Sequence, residues 1–270
     1  MKRREFLQNS AAAISAAGIT GLTPRRASAA GSENPAREFY ELRLYQIPNA
    51  EMHQVVDDYL RHALVPALGR MGIQRIGVFA PIAQEDQDQN HSIFVLIPDK
   101  SLEMVVRQRD LLVADEEYLA AAETYYAQPE KQPAYRRINS RLLRAFVGMP
   151  VMELPPETDQ DQPRIFELRI YESHNEDAAR RKVEMFNQGE IQLMRDVGLG
   201  PVMYGETLIG DNVPNLTYML SASDMEAHQA HWKAFIDHPE WKRMKQIERY
   251  QGTVSNITKY YLKPTEYSQM

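Results

Sequence analysis

Cysteine is absent from this 270-residue chain. Disulfide bonds and thiolate metal ligands are therefore excluded, and the folded state must be stabilised by packing. Hydrophobic residues make up 43% of the sequence, which is enough for one large domain or for two domains of roughly 120 residues each.

Two further absences narrow the function classes. The sequence has no glycine-rich phosphate loop and no serine nucleophile elbow, so nucleotide-dependent and acyl-enzyme mechanisms have no motif to support them. Basic residues are not in excess either, since 31 Lys and Arg stand against 37 Asp and Glu. The formal net charge of −6 argues against nucleic acid as a partner, because phosphate binding depends on basic patches.

Long apolar runs are also lacking. The most apolar stretch, Ala11–Leu22, is broken by glycines and is roughly half of the about 20 residues that a membrane-spanning helix needs. It follows Arg3 and Arg4 and precedes the small-residue segment 27–29, an order typical of a bacterial twin-arginine signal peptide. We therefore expect residues 1–29 to direct export to the periplasm or beyond, with no stable membrane span after signal removal.

Removal of this segment changes the charge of the chain. Residues 1–29 contain five basic residues and one acidic residue, so the formal net charge moves from −6 to −10. A strongly acidic balance suits a soluble exported protein. Small-molecule ligands and further copies of the chain remain open as partners.

A heptapeptide occurs twice in the remaining sequence. Phe39–Tyr45 and Ile165–Tyr171 lie 126 positions apart and share Glu, Leu, Arg and Tyr at the same places. Each copy predicts a β-strand in which apolar residues alternate with a Glu-x-Arg-x-Tyr face. The doubled polar face is the first candidate for function.

The elements that follow each heptapeptide occur in the same order. Hydrophobic periodicity and turn residues predict β-α-β-β-α-β twice, which is the ferredoxin-like arrangement. Gly72 and Gly198, again 126 positions apart, end the first helix of each copy. The predicted boundaries are a first domain at 38–149, a linker at 150–163 and a second domain at 164–263.

These features predict an α+β fold in which two tandem ferredoxin-like units pack as an intramolecular α/β barrel. A sheet that is covered by helices on one face still has a bare face, and the second unit covers it. If Tyr40 and Leu42 pack under the helices, the polar face points into the space between the two sheets. The residues predicted to line that space are Glu41, Arg43, Tyr45, Glu167, Arg169 and Tyr171.

The repeated strand and one later segment resemble the NIPSNAP family. The family's Trp-x-x-Phe-x-x-x-Pro-x-Trp pattern is similar to Trp232–Trp241 of the second copy, whereas the matching part of the first copy, Leu111–Tyr118, has neither Pro nor Trp. The resemblance implies the dimeric α/β-barrel superfamily, whose members include small-ligand binders, haem proteins and cofactor-free monooxygenases. It implies no settled reaction.

Two interpretations of the repeated face remain open. In one, Arg43 or Arg169 binds a carboxylate or enolate oxygen while a tyrosine or a glutamate moves a proton. In the other, the same residues form a buried structural network in a non-enzymatic interaction or scaffold module, because buried charges are tolerated only when they are paired. Whether the chain is an enzyme is left open by both.

Further candidates come from aromatic and histidine residues. The tyrosines Tyr204 and Tyr218, on the predicted hairpin strands, would make the space between the sheets suitable for a flat organic ligand, although they are equally good core residues. His62 on the first helix is either an axial haem ligand or general base, or a half-buried helix histidine. His228 and His231 share a helical face, but no third ligand is evident, so no metal site is predicted.

Overall fold

Eight antiparallel strands close into a single barrel in the computed structural model, which describes residues 36–82, 91–160 and 162–270. Around the barrel the order is β1-β3-β2-β8-β5-β7-β6-β4. The predicted signal peptide at 1–29 lies outside the described residues. The strands are β1 (Phe39–Gln46), β2 (Gly77–Pro81), β3 (Ile93–Asp99), β4 (Arg137–Ala145), β5 (Ile165–Glu172), β6 (Gly200–Ile209), β7 (Asn215–Ala222) and β8 (Asn256–Pro264).

Each half of the chain contributes four neighbouring strands. The first half supplies β4-β1-β3-β2 and the second half supplies β8-β5-β7-β6, so the two halves have the same internal order. The barrel closes where the outer strands of the halves pair, β2 with β8 and β4 with β6. The predicted intramolecular α/β barrel is therefore confirmed, and edge pairing is the device that removes the free sheet edges.

Ten α-helices lie within the described residues. The predicted helix after each repeated strand is present, and it contains a π-helical turn at corresponding positions, Leu60–Leu64 and Phe186–Glu190. The helices are α1 (Ala50–Tyr59), α2 (Val65–Arg70), α3 (Leu102–Val113), α4 (Glu116–Ala121), α5 (Glu123–Tyr126), α6 (Pro156–Asp159), α7 (Glu176–Met185), α8 (Ile191–Asp196), α9 (Met225–Asp237) and α10 (Pro239–Met244). None of these helices is long and apolar enough to cross a bilayer.

Cap residues explain where the repeated helices begin and end. Asn49 and Asn175, 126 positions apart, each accept a backbone hydrogen bond from the first turn, at 2.9 and 2.8 Å. Gly72 and Gly198 have φ of +83° and +85°, a conformation that glycine adopts without steric penalty. The predicted glycine stops are therefore confirmed.

The barrel interior is filled by the apolar face of the strands. Tyr40 and Leu42 pack there with Phe79, Phe94 and buried residues from the other strands. The predicted orientation of the repeated face was therefore wrong, because the apolar residues of β1 and β5 point into the barrel and the Glu-x-Arg-x-Tyr face points outward beneath the helices. A small eight-stranded barrel is filled by side chains and leaves no room for charged groups.

Two separate cores lie outside the barrel, one under the helices of each half. Tyr45 belongs to the core beneath α1 and α2, and Tyr171 belongs to the core beneath α7, α8 and α9. The repeated polar residues thus sit at the boundary between sheet and helices. The same position in the two halves allows their sites to be compared residue by residue.

Candidate functional site

A cavity of about 780 Å³ lies between the sheet and the helices of the second half. Strands β5 and β8 form its floor, and helices α7, α9 and α10 contribute its walls. All three polar residues of the second repeated face, Glu167, Arg169 and Tyr171, line it. Half of the remaining lining residues are aromatic or aliphatic and half are charged or polar, so the cavity offers both apolar surface and polar groups to a small molecule.

Glu167 is held by two donors from α9. Its Oε2 accepts a 2.7 Å hydrogen bond from Nε1 of Trp232 and lies 3.0 Å from Nε2 of His228. His228 and Trp232 are four residues apart and therefore lie on one face of the helix. The carboxyl group is 2% exposed, and both donors that satisfy it come from the covering helix rather than from its own strand.

Electrostatics fix the protonation of this cluster. Burial is the largest influence and raises the pKa of Glu167, but hydrogen bonding from His228 and Trp232 and the charge of Arg169 outweigh it, so the pKa lies below its ordinary value. The ionised carboxylate accepts hydrogen bonds only, so Nε2 of His228 carries the proton and donates it. The buried Nδ1 of His228 has no hydrogen-bond partner in the described residues.

Arg169 is only loosely engaged by this carboxylate. Its Nη1 lies 3.7 Å from Oε1 of Glu167, and its buried Nε has no hydrogen-bond partner among the described residues. The guanidinium lies 4.4 Å from the ring centroid of Trp232 and 5.4 Å from that of Tyr171. Arg169 therefore keeps N–H groups that are available for further hydrogen bonds at the wall of the cavity. Its guanidinium lies between two aromatic rings.

A second cation faces Arg169 across the strand pair. Lys259 of β8 is the register partner of Arg169 on β5, and both line the cavity. Directly opposed like charges destabilise a sheet unless an anion lies nearby. Burial, the largest influence, lowers the pKa of Arg169, but the neighbouring Tyr218, Tyr171 and Glu167 raise it overall, so the guanidinium stays charged.

An ion pair lies at the buried end of the cavity. Nζ of Lys182 on α7 is 2.7 Å from Oε2 of Glu190, and the two residues are 4% and 2% exposed. The pair bridges the π-helical turn, and such turns often occur at functional sites. Phe186 and Trp241 place their rings 4.5 and 5.6 Å from the ammonium nitrogen. Burial raises the pKa of Glu190, although Lys182 opposes the change.

In the first half, the same Glu-x-Arg motif forms a closed network of hydrogen bonds. Nε and Nη2 of Arg43 donate to the two carboxylate oxygens of Glu41 at 2.7 and 2.6 Å, and the hydroxyl of Ser140 donates to Oε1 at 2.7 Å. Ser140 is the register partner of Arg43, where the second half has Lys259. A cavity of about 610 Å³ is also present here, but both ends of its ion pair are satisfied within the protein.

The halves therefore differ although their strands match. Val56 and Leu64 occupy the first-half positions that correspond to Lys182 and Glu190, and both are buried in the apolar core. Tyrosines from α4, α5 and the segment before β4 pack around the first-half motif in place of Trp232. The structural network expected from the sequence describes the first half, and the cavity-lining arrangement describes the second.

The other sequence candidates lie apart from the second cavity. Tyr204 and Tyr218 are fully buried beneath the helices, where they donate to Met194 and to the hydroxyl of Tyr171 at 3.0 and 2.9 Å. They do not point between the sheets, which corrects the prediction for them. His62 is exposed and lines a different groove, between α1 and α5.

The two histidines of the His-x-x-His segment do not point to one shared site. His228 is the histidine that lines the second cavity, but its Nε2 is bound to Glu167 and its Nδ1 is buried. The ring of His231 lies against Gly198 instead, so the two histidines of the His-x-x-His segment diverge. Residues 36–82, 91–160 and 162–270 contain no cluster of three potential metal ligands.

Several residues of the cavity were not predicted from the sequence. Lys182, Glu190 and Lys259 were not predicted because nothing in their local sequence is unusual. Aligning the two halves at the offset of 126 positions would have shown charged residues at 182 and 190 where the first half has Val56 and Leu64. The contact between Glu167 and the helix could not be found in this way, because it depends on how α9 crosses the sheet.

Comparisons with known proteins match the second half of the chain to one family. Residues 166–269 match the NIPSNAP family model, so the second half carries a NIPSNAP domain and the resemblance is confirmed there. No curated protein matches the sequence. A NIPSNAP-like domain protein from Burkholderia xenovorans is 23% identical over 39% of this chain and 88% of its own, with a TM-score of 0.36.

Two solved structures share the whole barrel. A protein provisionally named as a monooxygenase, from Lactobacillus acidophilus, covers 84% of this chain and 94% of its own at 12% identity, with a TM-score of 0.55. A second one with the same provisional name, from Fusobacterium nucleatum, covers 85% and 93% at 9% identity, with a TM-score of 0.52. At such identities the likeness establishes the fold and leaves the activity open.

Proposed function

We propose that this protein is an exported binding protein whose second-half cavity takes a small anionic aromatic ligand, with Arg169 holding the acidic group. The observation that carries the proposal is the loose contact between Arg169 and Glu167. Because His228 and Trp232 already satisfy one oxygen of Glu167, the carboxylate does not close on Arg169 as Glu41 closes on Arg43. The guanidinium is left to pair with an oxyanion from a ligand.

The surroundings of Arg169 favour an anion. Lys259 adds a second positive charge on the adjacent strand, so both strands of this pair present a cation to a carboxylate in the cavity. On its own strand, the acid nearest to Arg169 in the described residues is Glu167, whose Oε2 already binds His228 and Trp232. The Arg169 side chain keeps 15% of its surface exposed, so the acidic group would pair with its terminal nitrogens.

Aromatic walls favour a flat ligand. Trp232 and Tyr171 flank the guanidinium, and Trp241 and Phe235 extend the apolar wall. Aromatic pairs contribute about 0.5–1.5 kcal/mol beyond the burial of their area. An aryl carboxylate or an enolate of similar size would meet both the cation and the rings.

The interaction-module alternative is less well supported. A purely structural role predicts that each copy of the motif is closed on itself, and this holds for Arg43 and Glu41. It offers no reason for a buried Nε of Arg169 without a partner beside a cavity of about 780 Å³. We therefore assign ligand binding to the second half and a structural role to the first.

Tryptophan fluorescence provides the test. The chain has two tryptophans, Trp232 and Trp241, and both line the cavity, so a bound ligand changes their emission directly. Titration with benzoate should give a saturable change in the wild type. Arg169→Leu should weaken binding about a hundredfold, from roughly 1.5–3 kcal/mol per charged hydrogen bond, and Arg169→Lys about tenfold.

The outcome is decided by Arg169. Because Glu167 keeps its two donors from α9, the Leu variant should stay folded, which circular dichroism verifies. Equal benzoate affinities for the wild type and the folded Leu variant would reject the proposal. So would the absence of any saturable change across benzoate, salicylate and 2-naphthoate.

A further inference from the structure

Resting on the proposed function, we infer that the ligand is amphiphilic: its acidic aromatic head binds at Arg169, and an alkyl or similar apolar tail reaches the cavity rim between Ile236 and Ile257. The ligand class is thus an aryl carboxylate with an extended apolar substituent. The inference rests on where apolar side chains continue beyond the anion position.

Two isoleucines form an exposed apolar rim. Ile236 on α9 is 54% exposed and Ile257 on β8 is 45% exposed, and both line the cavity that contains Arg169. Isolated exposed aliphatic residues need no explanation, but these two line the same cavity, Ile236 from the covering helix and Ile257 from the floor strand. A tail lying between them would remove both side chains from water.

The strand register places this rim next to the anion position. Arg169 is opposite Lys259, and two residues further along, Tyr171 is opposite Ile257. Two residues of a strand span about 6.6 Å, which is the distance between the cation pair and the apolar pair. A substituent that runs along the strand direction from a benzoate head at Arg169 reaches Ile257 within this distance.

The inner end of the cavity directs the tail outward. Lys182 and Glu190 form a buried ion pair there, and an alkyl chain packed against it would strip the remaining polar contacts of both charges. Among the apolar residues that line the cavity, Ile236 and Ile257 are the ones with exposed side chains. A tail that covers these two side chains therefore removes apolar surface from water.

A homologous series of ligands tests the inference. Binding of 4-alkylbenzoates from methyl to hexyl is measured by tryptophan fluorescence and calorimetry on the full chain. Each added methylene that becomes buried is expected to tighten binding about two- to fourfold. In Ile236→Ser and Ile257→Ser the gain per methylene should fall below about 1.5-fold, while the affinity for unsubstituted benzoate stays within about twofold.

Val113→Ser is the matched control. Val113 is the last residue of α3, it is 59% exposed, and it does not line the cavity that contains Arg169. This variant should keep the wild-type gain per methylene.

The possible results separate the two claims. If benzoate binds but affinity does not rise along the alkyl series, the inference is wrong while the proposed function stands. The same conclusion holds if the rim variants keep the full gain in affinity per methylene. If the gain is present in the wild type and lost in the rim variants but not in Val113→Ser, the inference holds. If neither benzoate nor any alkylbenzoate binds, the proposed function and the inference are both wrong.

Discussion

Nη1 of Arg169 lies 3.7 Å from Oε1 of Glu167, whereas Nη2 of Arg43 lies 2.6 Å from Oε2 of Glu41. The same Glu-x-Arg sequence on equivalent strands therefore makes a closed ion pair in one half and an open one in the other. The difference arises on α9, where His228 and Trp232 bind the Glu167 carboxylate. The covering helix, and not the strand, decides whether the arginine is available to a ligand.

The buried pair of Lys182 and Glu190 gives a stability prediction. Lys182→Val should lower the free energy of unfolding by about 3–5 kcal/mol, because it leaves Glu190 buried without its partner. Lys182→Val/Glu190→Leu copies the Val56 and Leu64 of the first half and should recover most of that loss. Urea unfolding of both variants and the wild type provides the measurement. A double variant as unstable as the single one would contradict the ion-pair account.

The lowered pKa of Glu167 gives a pH prediction. A group whose pKa is lower in the folded than in the unfolded state contributes stability above the unfolded pKa of about 4.3, and this contribution is lost as pH falls through the folded value. Glu167→Gln should therefore have a lower free energy of unfolding than the wild type at pH 7. The difference between the two should become smaller toward pH 3.

Urea unfolding at several pH values checks this prediction. Glu226→Gln, at an exposed position of α9, serves as the control and should differ little from the wild type at any pH. If the difference in the free energy of unfolding between Glu167→Gln and the wild type stays constant or increases as pH falls, Glu167 is not stabilised in its ionised form.

Lys259 gives a prediction about the anion position. Lys259→Ser restores the residue type that Ser140 supplies in the first half, and it should weaken benzoate binding about three- to tenfold at low ionic strength. The effect should shrink as salt is added, because the lysine is exposed and screening is strong there. Fluorescence titrations at about 20 mM and 500 mM salt measure it. An unchanged affinity at low salt would remove Lys259 from the site.

The signal-like segment gives a prediction about location. Arg3→Lys/Arg4→Lys should retain the protein in the cytoplasm, because twin-arginine export reads the paired arginines. Fractionation and intact-mass measurement check it, with the exported wild type expected to start at Ala30. Normal export of the double variant would show that another route carries the chain.

The sequence is a good guide to the fold because repeats and turn chemistry are local. The heptapeptide, the helix stops at Gly72 and Gly198 and the element order each follow from residues close together in the chain. Barrel closure followed from the need of each sheet to bury its second face. The family-like Trp232–Trp241 segment also pointed to the half that holds the cavity.

The sequence is a poor guide to which strand face is inside. Alternation shows that Glu41 and Arg43 share a face, but it does not show whether that face lies toward the barrel or toward the helices, since both sides of the sheet are buried. The interior of a small barrel is apolar, so the apolar strand face must lie inside. This argument can be used only once it is known that the sheet closes into a barrel. Likewise, the bonds from His228 and Trp232 to Glu167 span more than 60 residues and depend on tertiary packing.

The most direct test of the account compares the two arginines. Benzoate affinity is measured by tryptophan fluorescence for Arg169→Leu and for Glu41→Leu/Arg43→Leu, in which both partners are replaced so that no buried charge is left unpaired. We predict about a hundredfold weaker binding for Arg169→Leu and less than about threefold change for the first-half variant. Equal losses in the two variants, or a larger loss in the first-half variant, would contradict the claim that the site lies at Arg169.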